Sequence, residues 1–481
     1  SFPTRRSSDL RFTYRSYDGI EVEPLLSDLN LVIGEGERVL LLAPFDKGKT
    51  TLAKIICGVC PKYFPGTLTG TISVFGHDLS LTEPWQLLTE VGYVSQNPAE
   101  QFIATTVEEE IAFPLESLGL VRSEMAERID WALEKWGLTH LRGANESELS
   151  GGERKRVLLA IQDAIAPRLW LLDEVFDDLD VEWRGHLQQV IAQEGRTTLV
   201  LASRYLDEFA DLFDRVLLLD GKSVVEMERG DLLDRFAHLS GDDRPNPLGA
   251  APIEPRYTHT LAVEDIDSSM EDLVVERRRR NALRVAPFEL VVEGFELQSG
   301  EVVTLTGANG SGKSSFSRLL CGLDEPKSGV ITIDGVPSPS KGLNRTVGYL
   351  FQNPDLQIFL PTVEDELAWS LKRRSDLSPR EIKGLVSEAA ELFGLTLTDT
   401  PTTMSYPGRK ALQAAVYYLL DRPFYILDEL DSALTYHSAL TIIAHLRRRG
   451  AAILLITHDR LFASKVGGRG YTIEGGRLRD A

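Results

Sequence analysis

Three glycines, a lysine and several hydroxyls crowd into "GANGSGKSS", Gly307 to Ser315. Gly307, Gly310 and Gly312 let backbone N–H groups turn inward around an anion where a side chain would obstruct. Ala308, Asn309 and Ser311 complete the loop. Lys313 brings a positive charge to the β- and γ-phosphates of a nucleotide, and Ser314, followed by Ser315, offers a hydroxyl to Mg2+. A helix beginning there adds the partial charge of its N-terminus. Further on, "FYILDEL" ends an apolar run in two acids, a costly arrangement for a purely structural strand. Asp428 suits a Mg2+ contact through water, and Glu429 suits polarising an attacking water. His458 in "LLITHDR" and Gln352 in "VGYLFQNP" complete the catalytic candidates, His458 for a γ-phosphate and Gln352 also for the metal.

A second set stands nearer the N-terminus with its parts altered. "APFDKGKTT" keeps Lys47, Gly48, Lys49, Thr50 and Thr51, but Ala43 and Asp46 replace two glycines. The loop is thereby stiffer, and Asp46 puts a negative charge near phosphates. Gln96, Asp173 and Glu174 stand where Gln352, Asp428 and Glu429 stand later, while Arg204 occupies the place of His458. Conversely, "LSGGERKR" offers Ser150, Gly151, Gly152 and Glu153 at a helix start able to face an anion. Its later counterpart is "MSYPGRK", in which Ser405 survives but Tyr406 and Pro407 replace the two glycines. Proline has no amide hydrogen to offer, and tyrosine crowds the approach.

The elements that must hold these residues are written twice. "VGYVSQNPAEQFIATTVEEEIAF" at Val91 returns as "VGYLFQNPDLQIFLPTVEDELAW" at Val347, and "LWLLDE" returns as "FYILDE". So long a period means duplicated domains rather than a solenoid. Within each copy, apolar β-rich runs alternate with helical stretches, the pattern of a largely parallel sheet with crossover helices. The segments 97–148 and 353–403 read as inserted helical subdomains. These patterns divide the chain into a first domain 11–240, a Pro/Gly/Asp-rich linker 241–269 and a second domain 270–481. Residues 1–10, "SFPTRRSSDL", resemble a translated sequencing adapter and are set aside from the fold.

Composition narrows the function. Among 481 residues, 72 acids outweigh 52 bases for a formal charge of −20, which disfavours non-specific nucleic-acid binding. No apolar run approaches the roughly 20 residues of a membrane-spanning helix, and no secretory leader is evident. Cys57 and Cys60 form a C-x-x-C, but Cys321 recurs alone in the same setting, so a buried helix position is expected for them.

Taken with "LSGGERKR", the set resembles the ATP-binding-cassette ATPases over nearly the whole chain. The resemblance implies two tandem P-loop NTPase domains of α/β class, each with a mainly parallel sheet core, an antiparallel β subdomain and an inserted helical subdomain. It implies ATP and Mg2+ as ligands and head-to-tail stacking of the two cassettes. By that arrangement Ser150, Gly151, Gly152 and Glu153 close over nucleotide held by Lys313 and Ser314, which makes one hydrolytic site. Every altered element, Ala43, Asp46, Arg204, Tyr406 and Pro407, then gathers in the other, degenerate site, beside the surviving Ser405. There Arg204 is able to hold a phosphate and Tyr14 to stack on adenine.

The repeated block Q-N-P-x-x-Q-x-[IF]-x-x-T-V-E-[ED]-E is similar to that of energy-coupling-factor importers of vitamins and transition-metal ions. This resemblance implies a transmembrane coupling protein and a substrate-capture membrane protein as partners. It also implies a peripheral place on the cytoplasmic face of the cell membrane, and Gln101, Phe102, Gln357 and Phe359 at the docking region. The tandem ATPase of a sugar importer and a ribosome-associated tandem-cassette translation factor are the alternatives.

Overall fold

The structure is a computed structural model that describes residues 10–15, 23–44, 47–177, 179–205, 209, 211–220, 223–249, 256–269, 289–308 and 310–481. Asp46, Asn309, the arginine run 277–280 and all but the last residue of the adapter-like stretch lie outside these. The chain forms two compact units, residues 1–243 and 244–481.

Among the described residues, the first unit is built on a six-stranded sheet. Its order is Ser223–Glu226, Arg215–Asp220, Arg38–Leu42, Thr197–Ala202, Leu169–Asp173 and Val91–Val94. All neighbours are parallel except the outermost pair, Ser223–Glu226 with Arg215–Asp220. Central strands such as Leu169–Asp173 and Thr197–Ala202 are buried at every position. That is why they read as unbroken apolar runs rather than alternating ones. Each leucine so enclosed contributes about 1.5–3 kcal/mol. A separate antiparallel sheet joins Leu26–Leu29, Leu10–Tyr14 and Gly66–Thr69. It begins at Leu10, the last residue of the stretch set aside as adapter, which is buried opposite Leu29. Helices Val107–Ser117, Arg122–Lys135 and Gly151–Ile165 form the inserted subdomain around buried Trp136.

The second unit repeats this order with Arg477–Asp480, Arg469–Glu474, Val302–Thr306, Ala452–Ile456, Phe424–Asp428 and Val347–Leu350. Its antiparallel strands join the same sheet, making ten among the described residues. One of them corrects the linker reading. Thr260–Ser269 is a full strand paired with Glu289–Gln298 and with Ser328–Ile333. Leu248 is packed in this unit's core, and the Asn246 amide donates to the carbonyl of Lys465 at 2.7 Å. The described residues of this segment from Arg244 onward therefore belong to the second unit.

In both units the parallel strands end at one edge. The glycine loops follow Arg38–Leu42 and Val302–Thr306, the paired acids end Leu169–Asp173 and Phe424–Asp428, and the glutamines follow Val91–Val94 and Val347–Leu350. Parallel pairing is what gathers residues so distant in sequence.

Candidate nucleotide sites

In the second unit, Gly307, Gly310 and Gly312 have φ of 145°, 76° and 112°, which only glycine adopts readily. A Cβ on Gly307 would stand 2.6 Å from the Ile473 carbonyl oxygen. Gly312 precedes the helix Lys313–Leu320. Lys313 curls back so that Nζ donates to the carbonyls of Gly307 (2.8 Å) and Ala308 (2.9 Å), bracing the loop around its own charge. Ser314 is exposed and Ser315 half-buried at the helix start. Ser311 Oγ is buried with no partner among the described residues, a donor turned into the loop.

The acids sit beside it. Tyr349 Oη donates to Asp428 Oδ2 at 2.8 Å. Burial and the adjoining Glu429 carboxylate push the Asp428 carboxyl up to about 6. Glu429 has a left-handed backbone (φ 47°), a strained setting for a non-glycine residue that aims its side chain off the strand end. The Gln352 amide donates to Glu429 Oε2 at 2.6 Å, and His458 Nε2 lies 3.3 Å from Oε1, at ion-pair distance without hydrogen-bond alignment. Burial works to raise the Glu429 carboxyl, yet His458, Lys313 and Lys410 together hold it below the usual range. The structure thus brings Gln352, Asp428, Glu429, His458 and Lys313 to one place.

The first unit keeps the frame and changes the wiring. Lys49 Nζ donates to the carbonyls of Ala43 (2.9 Å) and Pro44 (3.1 Å), the same brace as Lys313, and Gly48 keeps its left-handed turn at φ 91°. Ala43 itself is wholly buried and is not among the left-handed positions, so the two loops part at their first residue. Lys47 is exposed beside it. Thr50 Oγ1 donates to Asp173 Oδ2 at 2.6 Å. Glu174 shares the left-handed backbone, but its carboxylate accepts from the Ser203 N–H (2.9 Å) and from the Ser203 hydroxyl, with Lys49 3.4 Å away. Burial raises its carboxyl, against the pull of Lys49. Gln96 gives its backbone carbonyl to buried Lys155 at 3.0 Å.

Several expectations change. Arg204 pairs with Asp177 at 3.2 Å rather than standing ready for a phosphate. Tyr14 meets Phe12 edge to face at 4.8 Å and shares a hydrogen bond with Thr51 at 2.9 Å, so its ring belongs to the wall of the core. Gln101 and Gln357 are internal braces. Each accepts from a backbone N–H of its glutamine loop, Ser95 (2.8 Å) and Phe351 (3.0 Å), and donates to Tyr93 (3.1 Å) or Tyr349 (2.9 Å). Phe102 is tucked against the helical subdomain, and Ile103 takes the outward place that Phe359 has in the second unit. All three cysteines are free thiols: Cys57, half-buried, and Cys321, buried, cap helix C-terminal ends, whereas Cys60 is buried in the turn after Cys57 rather than in a helix.

The two signature stretches, "LSGGERKR" and its counterpart "MSYPGRK", both start helices. Ser150 Oγ accepts from Glu153 N–H and donates to its carboxylate, leaving Gly151 and Gly152 at the first turn. Ser405 caps Tyr406–Leu420 through Gly408 N–H, with Pro407 at an N-terminal position where its missing donor does not harm the helix. What Pro407 removes is an outward-facing amide. The sequence reading missed Tyr93, Tyr349, Lys155 and Lys410. The tyrosines were legible, since both copies read V-G-Y before the glutamine; the lysines sit in "RKR" and "GRK", where they resemble surface charges.

The donors present are those Mg2+ takes. Ser314, Gln352 and Asp428, or Thr50, Gln96 and Asp173, are hard oxygen ligands, and a divalent cation would relieve the buried repulsion between Asp428 and Glu429. Among the described residues no cluster of three His, Cys, Asp or Glu side chains suggests any other metal, and no helix is long and apolar enough to cross a membrane.

Comparison with known proteins bears on the whole chain. A family model described as "ABC transporter" matches residues 26–177 and 293–432. A Bacillus subtilis (strain 168) protein described as "Putative HMP/thiamine import ATP-binding protein YkoD" is 30% identical, covering 94% of this chain and 86% of its own. A Treponema denticola protein described as "Putative ABC transporter ATP-binding protein" is 29% identical over 95% of this chain and 93% of its own. Among solved structures, one described as "Model of ribosome-bound archaeal Pelota and ABCE1" superposes with a TM-score of 0.65 at 19% identity, covering 98% of this chain and 78% of its own. That likeness concerns the fold.

Proposed function

The chain belongs to the ABC transporter family as a tandem ATP-binding protein, and from that premise we propose that it is the ATP-hydrolysing energy-coupling subunit of an energy-coupling-factor importer for a vitamin or transition-metal ion. One composite site hydrolyses ATP and the other is degenerate. The observation that carries the division is the contrast between the two glutamates. Glu429 is kept ionised between the Gln352 amide and His458, whereas Glu174 is tied to Ser203 inside the fold.

In this reading Gly307 to Ser315 cradle the phosphates, and Lys313 exchanges its own loop carbonyls for phosphate oxygens. Ser150, Gly151, Gly152 and Glu153 of the first half close the same nucleotide from the far side. Glu429, steered by Gln352, orients a water and takes its proton as the oxygen attacks the γ-phosphorus and the bond to the β–γ bridging oxygen breaks. His458 steadies both Glu429 and the γ-phosphate. Ser314, Asp428 and Gln352 would hold Mg2+, which when bound would neutralise charge on the phosphates. Ala43, Asp46, Lys47, Gly48, Lys49, Thr50, Thr51, Gln96, Asp173, Glu174 and Arg204 form the degenerate site with Ser405, Tyr406 and Pro407.

The importer assignment draws on the block repeated in both halves, on the Bacillus relative's description, and on Ile103 and Phe359, which stand 72% and 77% exposed beside the glutamine loops. Such apolar side chains suit the coupling helices of a membrane partner at the cytoplasmic face of the membrane.

The test joins turnover to partner. Glu429→Gln should lower ATP hydrolysis about 10²–10⁴-fold, the scale of a positioned general base, while leaving nucleotide binding. Glu174→Gln should leave most turnover; the reverse pattern overturns the division. Purified from native membranes, the chain should carry an integral membrane protein, and Ile103→Ser with Phe359→Ser should release it. Ribosomal particles in its place would favour the translation-factor alternative and refute the importer reading.

A further inference from the structure

The two glutamine loops are pinned by different residues. In the first unit Lys155, fully buried on the signature helix, donates to the carbonyls of Ser95 (3.0 Å) and Gln96 (3.0 Å). Its counterpart Lys410 is equally buried but donates elsewhere, to the carbonyls of Glu429 (3.2 Å) and Asp428 (3.4 Å). The Gln352 carbonyl has a donor that the first unit lacks a side chain for. Tyr406 Oη donates to the carbonyl of Gln352 at 3.0 Å. At the matching place the first unit has Gly151, which has no side chain to offer.

From that peptide the chain of contacts continues to the carboxylate, since Gln352 Nε2 donates to Glu429 Oε2 at 2.6 Å. The tyrosine is itself held. The Arg409 guanidinium lies 5.6 Å from its ring centroid and 2.7 Å from Asp355 Oδ1, and Gln413 Nε2 donates to the Phe351 carbonyl at 3.1 Å. The start of this helix therefore grips the glutamine loop on one side and the acidic strand end on the other. All of these contacts lie within the second unit.

We propose that Tyr406 is a positioning residue for Glu429, acting through Gln352. The substitution that spoils the second signature for phosphate also supplies the hydrolytic half with a brace. Tyr406 is then more than a plug in the degenerate site. A plug needs only the ring, but a brace needs the hydroxyl. This inference rests on the reading of Glu429 as the hydrolytic carboxylate.

Tyr406→Phe, which keeps the ring and its place beside Arg409, separates the two roles in the full chain. The brace predicts a kcat for ATP hydrolysis roughly three- to tenfold lower, the scale of one net hydrogen bond, with KM changed less than twofold. In a Gln352→Ala background the same substitution should cause no further loss, since the two residues act in one line. Hydrogen exchange without nucleotide should quicken in the segment 350–358 and stay unchanged in 94–102. Wild-type kcat together with unchanged exchange in 350–358 would overturn the proposal, as would exchange rising throughout the chain, the mark of general loosening. Should the unaltered chain hydrolyse no ATP, the functional reading fails, and the exchange result alone then decides the brace.

Discussion

Asp428 and Glu429 are neighbours in sequence and opposites in electrostatics. Glu429 has His458, Gln352, Lys313 and Lys410 to favour its charge, whereas Asp428 has burial and Glu429 against it and chiefly Tyr349 for it. A carboxyl raised from 3.8 to about 6 makes the native state bind the proton more tightly than the unfolded chain does. Its contribution to stability is therefore complete below the unfolded value and is lost as pH rises through the folded one. Asp428→Asn removes this dependence while leaving Tyr349 an acceptor. Because residue 428 keeps some solvent contact, the gain is put at about 1–3 kcal/mol above pH 7, dwindling to nothing near pH 4. Urea melts of the nucleotide-free variant and parent across that range measure it. The same variant should lose the extra stability that Mg2+ with ATP gives the parent. An equal gain at every pH would show that Asp428 is not held protonated by its surroundings.

Among the elements, the loop after each glutamine shows how a motif can be read correctly and explained incompletely. Thr106 with Glu109, and Thr362 with Asp365, cap the following helices, and this was legible because the spacing T-x-x-[ED] before an apolar run is local. The next acid was not. Glu110 and Glu366 are buried and reach back to accept from the N–H groups of Ile103 (2.9 Å) and Ala104 (2.6 Å), and of Phe359 (2.9 Å) and Leu360 (2.7 Å). That use depends on the loop folding over the helix, which no spacing reveals. Much of the block that looked like a mark of one importer group is thus a staple that turns Ile103 and Phe359 outward. Cutting it takes the acceptor from two partly buried amides, so Glu366→Ala should cost about 1–3 kcal/mol, and Glu110→Ala a similar amount. Denaturant melts measure both, and a loss within 0.5 kcal/mol, typical of surface changes, would mean that the loop finds other partners. The strand Thr260–Ser269 was missed for a related reason. Leu261 and Val263 face the core and then Ile266 does, because a bulge with Asp265 at φ 49° shifts the alternation by one residue. Gly329, where a Cβ would stand 2.4 Å from the Asp265 carbonyl, makes room for it.

At the scale of the molecule, duplication was the most legible property, because two copies of a parallel sheet must each repeat the runs that end at the site. What the copies do for one another is the part that rests on proposal, and two serines test it. Ser150 and Ser405 do the same local work, each capping a signature helix through the N–H three residues on, at 3.3 Å. Replacing either by alanine should therefore cost a similar stability, about 1 kcal/mol. Their expected effects on turnover differ. If Ser150 closes over the nucleotide held by Lys313, Ser150→Ala removes a donor facing the transferring phosphoryl group and should lower kcat by about 10²-fold, the scale of a lost charge-stabilising donor. If Ser405 instead belongs to the degenerate site, Ser405→Ala should retain most of the rate. Equal melting curves with unequal turnover would tie the intact signature to the intact loop across the two halves. Equal losses of turnover would mean that the capped helix ends serve only their own folds, and the pairing of good elements with good would have to be abandoned.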